Sequence, residues 1–176
     1  MYGADWNRTG NGGPDSQLQV NKLDTKGVKM ESEHGQINIL LVENDPGDQK
    51  LIKTALLNWN DKVNLKIVYS GEDAMDYLHM SVRDSQQYPR PGLILLDLGM
   101  PGMGGKGFLK VIKADDNLCS IPVVIVTNSE AEDDIEYCYA MHAAGYVQKS
   151  ASPQEFSEVL GKLARYWFMT SAMLSS

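Results

Sequence analysis

With 176 residues, 43% of them hydrophobic, and a formal net charge of −7, the chain holds material for one domain of ordinary size plus a tail. The acid excess argues against a nucleic-acid surface, which carries a clustered basic patch, and no apolar run approaches the roughly 20 residues that cross a bilayer. The opening MYGADWNRTG lacks the basic-then-apolar pattern of a secretory signal, so cytoplasmic residence is expected; Cys119 and Cys138 are too few for a disulfide framework and read as small core or half-buried residues.

Residues 1–36 are rich in Gly, Asn, Asp, Ser and Lys with scattered apolar positions. They read as a disordered or loosely attached extension. From Ile37 onward a regular rhythm sets in. INILLV, 37–42, predicts a strand, and a helix over about 46–58 follows, with Leu51, Ile52, Ala55 and Leu56 on one face. LKIVYS, 65–70, reads as a second strand. Ser70 can cap the next helix through Asp73, and Ala74, Tyr77 and Leu78 make its apolar stripe. HMSVRDSQQYPRPG then reads as a long polar loop.

LILLD, 93–97, is the third predicted strand, and Phe108, Val111 and Ile112 point the following helix inward. PVVIVT, 122–127, is the fourth. A helix over about 131–142 is acidic at its start, which suits the positive end of the helix dipole. GYVQK, 145–149, is a short fifth strand. The last helix opens on Ser152-Pro153-Gln154-Glu155, a capping box with proline at the first helical position. Its stripe is Phe156, Val159, Leu160, Leu163, Tyr166 and Trp167.

Strand and helix thus alternate five times. Near-continuous apolar strands indicate a parallel sheet covered on both faces. Right-handed crossovers make this an α/β doubly wound three-layer sandwich. In that architecture ligands bind beyond the carboxyl ends of the strands. The strand ends here are Glu43-Asn44-Asp45, Asp97, Thr127-Asn128-Ser129 and Lys149-Ser150. An aspartate after a strand is commonly a turn residue and a lone lysine there is commonly solvated. It is their convergence on one sheet edge that carries weight. Such a set suits phosphoryl transfer to a carboxylate. An aspartate can be the nucleophile, clustered carboxylates can hold Mg²⁺, and metal and lysine together offset charge on the transferring oxygens.

ILLVENDPGD, PRPGLILLDLGMPGMGG, IPVVIVTNS and GYVQKS, in that order and spacing, resemble the receiver domain of two-component response regulators. The resemblance covers about residues 37–168, leaving 169–176 as a tail. It implies the flavodoxin-like receiver fold, with strand order 2-1-3-4-5. The PRPGLILLDL lead-in, the loop before it and the aromatic RYWF further resemble small receivers that partner phytochromes. The resemblance implies Asp97 as phosphoacceptor, Lys149 as the phosphate-binding lysine and Thr127 as the switch hydroxyl. It also implies Tyr146 as the aromatic switch position, and Gly99 as donor of a backbone carbonyl to Mg²⁺. Met100-Pro101 matches the turn after the acceptor, and Gly105 the glycine opening the next helix. The residue after the lysine is commonly proline in this family; here it is Ser150.

The family also carries two acids at the end of strand one, where this chain has Glu43-Asn44. Asn44 offers the metal a neutral amide oxygen, so weaker Mg²⁺ binding is expected. Asp45, ahead of Pro46, is better placed as a helix cap than as a ligand, and Asp48 is read as a dipole partner. The leading expectation is a single-domain receiver with no enzymatic activity beyond its own phosphorylation chemistry. A histidine kinase would be its donor and an unidentified downstream protein its target. The alternative is an adaptor that has become independent of phosphorylation through Asn44. A flavodoxin-like cofactor enzyme would need a Ser/Thr/Gly-rich phosphate loop, which ENDPGDQK is not. The apolar C-terminal end reads either as packing under the last strand or as a homodimer contact.

Overall fold

The computed structural model describes residues 36–57, 62–149 and 152–167. In chain order the elements are β1 (Ile37–Val42), α1 (Pro46–Leu56), β2 (Val63–Val68), α2 (Gly71–Arg83), β3 (Leu93–Leu96), α3 (Gly104–Ala114), β4 (Val123–Thr127), α4 (Glu132–Ala140), β5 (Gly145–Gln148) and α5 (Pro153–Arg165). The strands form one parallel sheet in the order β2-β1-β3-β4-β5. This is the doubly wound (βα)5 arrangement that the alternation predicted. No helix among the described residues is long and apolar enough to cross a membrane.

The two faces of the sheet are covered by different helices, and strand parity decides which residue meets which. Successive side chains in a strand point to opposite faces. Leu40, Val42, Ile94, Leu96, Val123 and Ile125 face α2, α3 and α4, where they pack with Ala74, Leu78, Phe108, Leu109, Ile112 and Cys138. Ile39, Leu41, Leu93, Leu95, Val124 and Val126 face α1 and α5, meeting Ile52, Ala55, Leu56, Phe156, Leu160 and Ala164. The three central strands are therefore apolar throughout except for Asn38 near the start of β1 and Thr127 at the end of β4. The edge strand β2 alternates instead, with Asn64 and Lys66 outward. Asn64 Nδ2 donates to Asn38 Oδ1 at 2.9 Å across the sheet.

The helix starts follow the capping chemistry. Asp45, Ser70 and Ser152 each accept a backbone N–H three residues on, from Asp48, Asp73 and Glu155. Pro46 and Pro153 occupy the first helical positions. Gly105 is required by packing: a Cβ there would lie 2.1 Å from the Asp97 carbonyl oxygen.

Several boundaries and faces differ from expectation. α2 continues through His79–Arg83, which the sequence offered as loop. Ser81 is the residue that hid this turn. It is buried, but its hydroxyl donates to Leu78 O at 2.8 Å, so a polar residue fills an apolar slot. β2 begins at Val63 rather than Leu65, because Val63 and Asn64 pair with Ile37 and Asn38. In α3 Phe108 and Ile112 face inward as expected and Leu109 joins them, whereas Val111 is 42% exposed. In α5 Val159 and Tyr166 also face out, and Ala164 takes the buried position instead. A small residue lets this helix lie close to the sheet, and an apolar count of the sequence undervalues it. Cys138 is buried and its thiol is pushed up to about 11 by burial, whereas Cys119 is exposed. Residues 1–35, Phe168 to Ser176 and Ser150 lie outside the described residues, and so do the expectations that fall on them.

The α3 assignment gives a direct test. Phe108→Ala should lower the free energy of unfolding by about 3–5 kcal/mol, and Val111→Ala by no more than about 0.5 kcal/mol. Urea denaturation of both variants reads the difference, and comparable losses would return Val111 to the core.

Candidate functional site

The parity that sorts the core also sorts the groups just past the strand ends. Glu43 continues the series Ile39, Leu41; Asp97 continues Leu93, Leu95; Lys149 follows Val147. All three therefore stand on the α1/α5 side. Thr127 continues Val123, Ile125, and Tyr146 packs with the α2–α4 cluster, so these two stand on the other side. Backbone bonds prolong the ladder far enough to hold the positions: Glu43 N donates to Val68 O, Asp97 N to Val42 O and Lys149 N to Thr127 O.

Lys149 is the centre of the site. Its ammonium donates to Glu43 Oε2 at 2.7 Å, to Asp48 Oδ2 at 2.7 Å and to Asp97 Oδ1 at 3.1 Å. An ammonium has three N–H groups, so every one of them is used. Glu43, Asp97, Thr127 and Lys149 are all buried, and the Asp48 side chain retains 24% exposure. The remaining carboxylate oxygens are also held. Glu43 Oε1 accepts Asp45 N–H at 2.9 Å, and Asp97 Oδ2 accepts Gly99 N–H at 2.7 Å. Gln49 Nε2 donates to Glu43 O at 2.7 Å and fastens α1 to the end of β1.

Burial works against the charge on both Glu43 and Lys149. For Glu43 burial wins, raising its pKa above the ordinary carboxylate value against the opposing pull of Lys149 and the Asp45 N–H. For Lys149 burial is overcome by the bonds to Asp48 and Glu43, and the pKa is raised well above that of a free lysine. The lysine is therefore a fixed cation at any physiological pH.

These residues floor an open cleft of about 670 Å³, whose walls include Asn44, Gly99, Asn128 and Ser129. Its far wall holds a second polar chain. Lys106, from the first turn of α3, pairs with Asp134 at the start of α4, and Asp134 accepts the Ser129 hydroxyl. The pair raises the pKa of Lys106 and lowers that of Asp134. Ser129 N–H donates to Thr127 Oγ1 at 3.4 Å, and Tyr146 OH donates to Ser129 O at 3.1 Å.

The structure thus brings Glu43, Asn44, Asp97, Gly99, Thr127 and Lys149 to one cleft, with Tyr146 one hydrogen bond away. Asp45 is the helix cap, as expected. Asp48 departs from expectation, since its carboxylate bonds Lys149. The sequence did carry a signal for this. Asp48 is in helical phase with Ile52 and Ala55, which face the same side of the sheet as Glu43. Lys106 and Asp134 were also missed. Asp134 lay within an acidic helix start, which the dipole alone explains.

In donor chemistry the cleft offers carboxylate, amide and carbonyl oxygens, which suit a hard cation. Among the described residues no three acidic, histidine or cysteine side chains form a closed metal cage. The fit is to an ion such as Mg²⁺, which keeps several waters and binds through one or two carboxylates plus a phosphate.

A five-stranded parallel α/β sandwich with a lysine-bridged carboxylate cleft past its strand ends belongs to the class of open α/β folds whose sites suit a hard cation and a phosphoryl group. Residues 39–161 match the family model described as the response regulator receiver domain, and the chain belongs to that family. It is 34% identical over 132 residues to response regulator Rcp1 of Synechocystis sp. (strain ATCC 27184 / PCC 6803 / Kazusa), covering 75% of this chain and 89% of that protein. The crystal structure of the phosphorylated cyanobacterial phytochrome response regulator RcpA superposes with a TM-score of 0.74 at 35% identity, over 80% of this chain and 100% of that one. The Mn²⁺-bound form of Rcp1 gives 0.72 at 33% identity, over 78% and 99%. The resemblance drawn from the strand ends is therefore borne out at the level of family and fold.

The cluster sets a stability expectation. Lys149→Met leaves carboxylates facing one another without a cation, and should cost about 3 kcal/mol or more in urea denaturation. Adding Glu43→Gln should recover part of that loss, because it removes the most buried charge. A double variant no more stable than Lys149→Met would show that the cost lies in packing.

Proposed function

We propose that this receiver takes a phosphoryl group on Asp97 from a histidine kinase and signals through protein contacts. The observation that carries the reading is the bond from Lys149 to Asp97 Oδ1, made at the floor of an open cleft by a lysine that stays charged. Asp97 is buried and yet reachable from that cleft, which suits an in-line nucleophile. In the transfer an Asp97 carboxylate oxygen attacks phosphorus. The donor's bond to phosphorus breaks, and its electron pair leaves with the donor imidazole. Lys149 offsets charge on the transferring oxygens.

The residues that would hold Mg²⁺ are Asp97, Glu43, the Asn44 amide oxygen and the Gly99 carbonyl. The bound ion supplies charge neutralisation on the phosphoryl oxygens. Thr127 lies on the cleft wall, where its hydroxyl can donate to a phosphoryl oxygen. Its link through Ser129 to Tyr146 provides the route by which the change reaches the α4 surface. The proposed kinase is of phytochrome type, a reading supported by the likeness to Rcp1 and RcpA. Cytoplasmic residence goes with it, as does the absence of enzymatic activity beyond this chemistry. The presence of Asp97, Thr127 and Lys149 together disfavours a phosphorylation-independent adaptor. The half-exposed Tyr166, with its ring edge-on to Trp167 at 5.4 Å, is the surface proposed for self-association.

Two substitutions test this reading. Asp97→Asn should take up no label from a radioactive small acyl phosphate under conditions that load the wild type, and wild-type uptake by the variant would sink the acceptor assignment. Asn44→Asp would restore a carboxylate to the set that holds the cation, worth about 1–2 kcal/mol in a solvated site. Calorimetric titration should then show Mg²⁺ binding tightened roughly 5- to 30-fold, and equal affinities would reject Asn44 as a weakening ligand.

A further inference from the structure

Asp48 is the one carboxylate on Lys149 that neither the strand ends nor the proposed acceptor chemistry requires. It reaches the site from the first turn of α1, where its own N–H is capped by Asp45 Oδ1 at 2.8 Å. Its Oδ2 lies 2.7 Å from the Lys149 ammonium, as close as Glu43 and closer than Asp97.

A phosphoryl group on Asp97 brings about −1.5 to −2 charge and new acceptor oxygens into the cleft. Lys149 has no unused N–H with which to meet them. Loading turns the Asp97 carboxylate into a neutral acyl group and so loosens its bond to the ammonium, which frees one N–H; to bond a second phosphoryl oxygen, Lys149 must also release Glu43 or Asp48. Glu43 is a poor candidate: its side chain is 1% exposed, and releasing it would leave a buried carboxylate unpaired. The Asp48 side chain, at 24% exposure, can be taken up by water at little cost.

We infer that Asp48 is a positioning residue that holds Lys149 in the unphosphorylated site and is the partner exchanged for a phosphoryl oxygen when Asp97 is loaded. The inference rests on Asp97 being the acceptor. It makes Asp48 a brake: the lysine is kept in place but occupied, and an incoming phosphate meets an extra negative charge. Removing that charge frees an N–H and lowers the repulsion, so loading becomes easier. A carboxylate that only held the lysine in a productive place would have the opposite effect, since its loss would slow loading.

The test compares the full chain, Asp48→Asn, Asp48→Glu and Asp97→Asn with a small acyl phosphate at saturating Mg²⁺, following phosphoprotein formation against donor concentration. The expected result for Asp48→Asn is a KM lowered about 3- to 10-fold with kcat within about twofold of wild type. Asp48→Glu keeps the charge and should return both constants to near the wild-type values. Circular dichroism confirms that each variant is folded. An Asp48→Asn KM equal to or above wild type, or a kcat that falls with it, overturns the exchange role while leaving the acceptor assignment standing if Asp97→Asn stays unlabelled. Label on Asp97→Asn at the wild-type level overturns both.

Discussion

The geometry of this site depends on one ammonium group. Lys149 has three N–H donors and spends them on three carboxylates that come from three separate parts of the chain: the end of β1, the first turn of α1 and the end of β3. Without the lysine, the sheet would have to bury Glu43 and Asp97 side by side with no cation between them. With it, burial raises rather than lowers the demand for the pairing, because no water competes. The same constraint extends to the remaining oxygens of the cluster. Every oxygen of Glu43 and Asp97 already has a donor, from Lys149, Asp45 N–H or Gly99 N–H.

Much of this was legible in the sequence, and the reasons are physical. Apolar runs bounded by capping residues gave the order of elements. Strand-end chemistry gave Glu43, Asp97, Thr127 and Lys149 as a group, because a parallel sheet must bring those ends to one edge. Helix faces were harder. Apolar character alone points Val111, Val159 and Tyr166 inward, yet Leu109 and Ala164 hold the buried places. The phase of a helix is fixed by close approach to the sheet, and small residues settle that. Asp48 was hidden for a different reason. A helix start attracts acids for its dipole, so an acid there carries no sign of a second partner until the facing residues are known.

The cleft has two walls with different work. On the α1 side are the charges of Glu43, Asp48, Asp97 and Lys149. On the α3/α4 side, Lys106, Asp134, Ser129 and Tyr146 tie the loop after β4 to α3 and β5. Thr127 belongs to this second wall by strand parity, although its hydroxyl opens on the same space. Asp97 therefore stands between a wall of buried charges and a wall of hydrogen-bonded polar groups.

Gly105 has a mechanical consequence. With no side chain at that position, the start of α3 lies against the backbone carbonyl of Asp97 itself. There is no cushion of flexible atoms between the Asp97 backbone and a helix that carries Phe108, Leu109 and Ile112 into the core. A shift of the Asp97 backbone by a fraction of an ångström must therefore be taken up by α3 as a rigid body or not occur at all. The contact works as a stiff coupling rather than a hinge, and it ties the floor of the cleft to the packing beneath it.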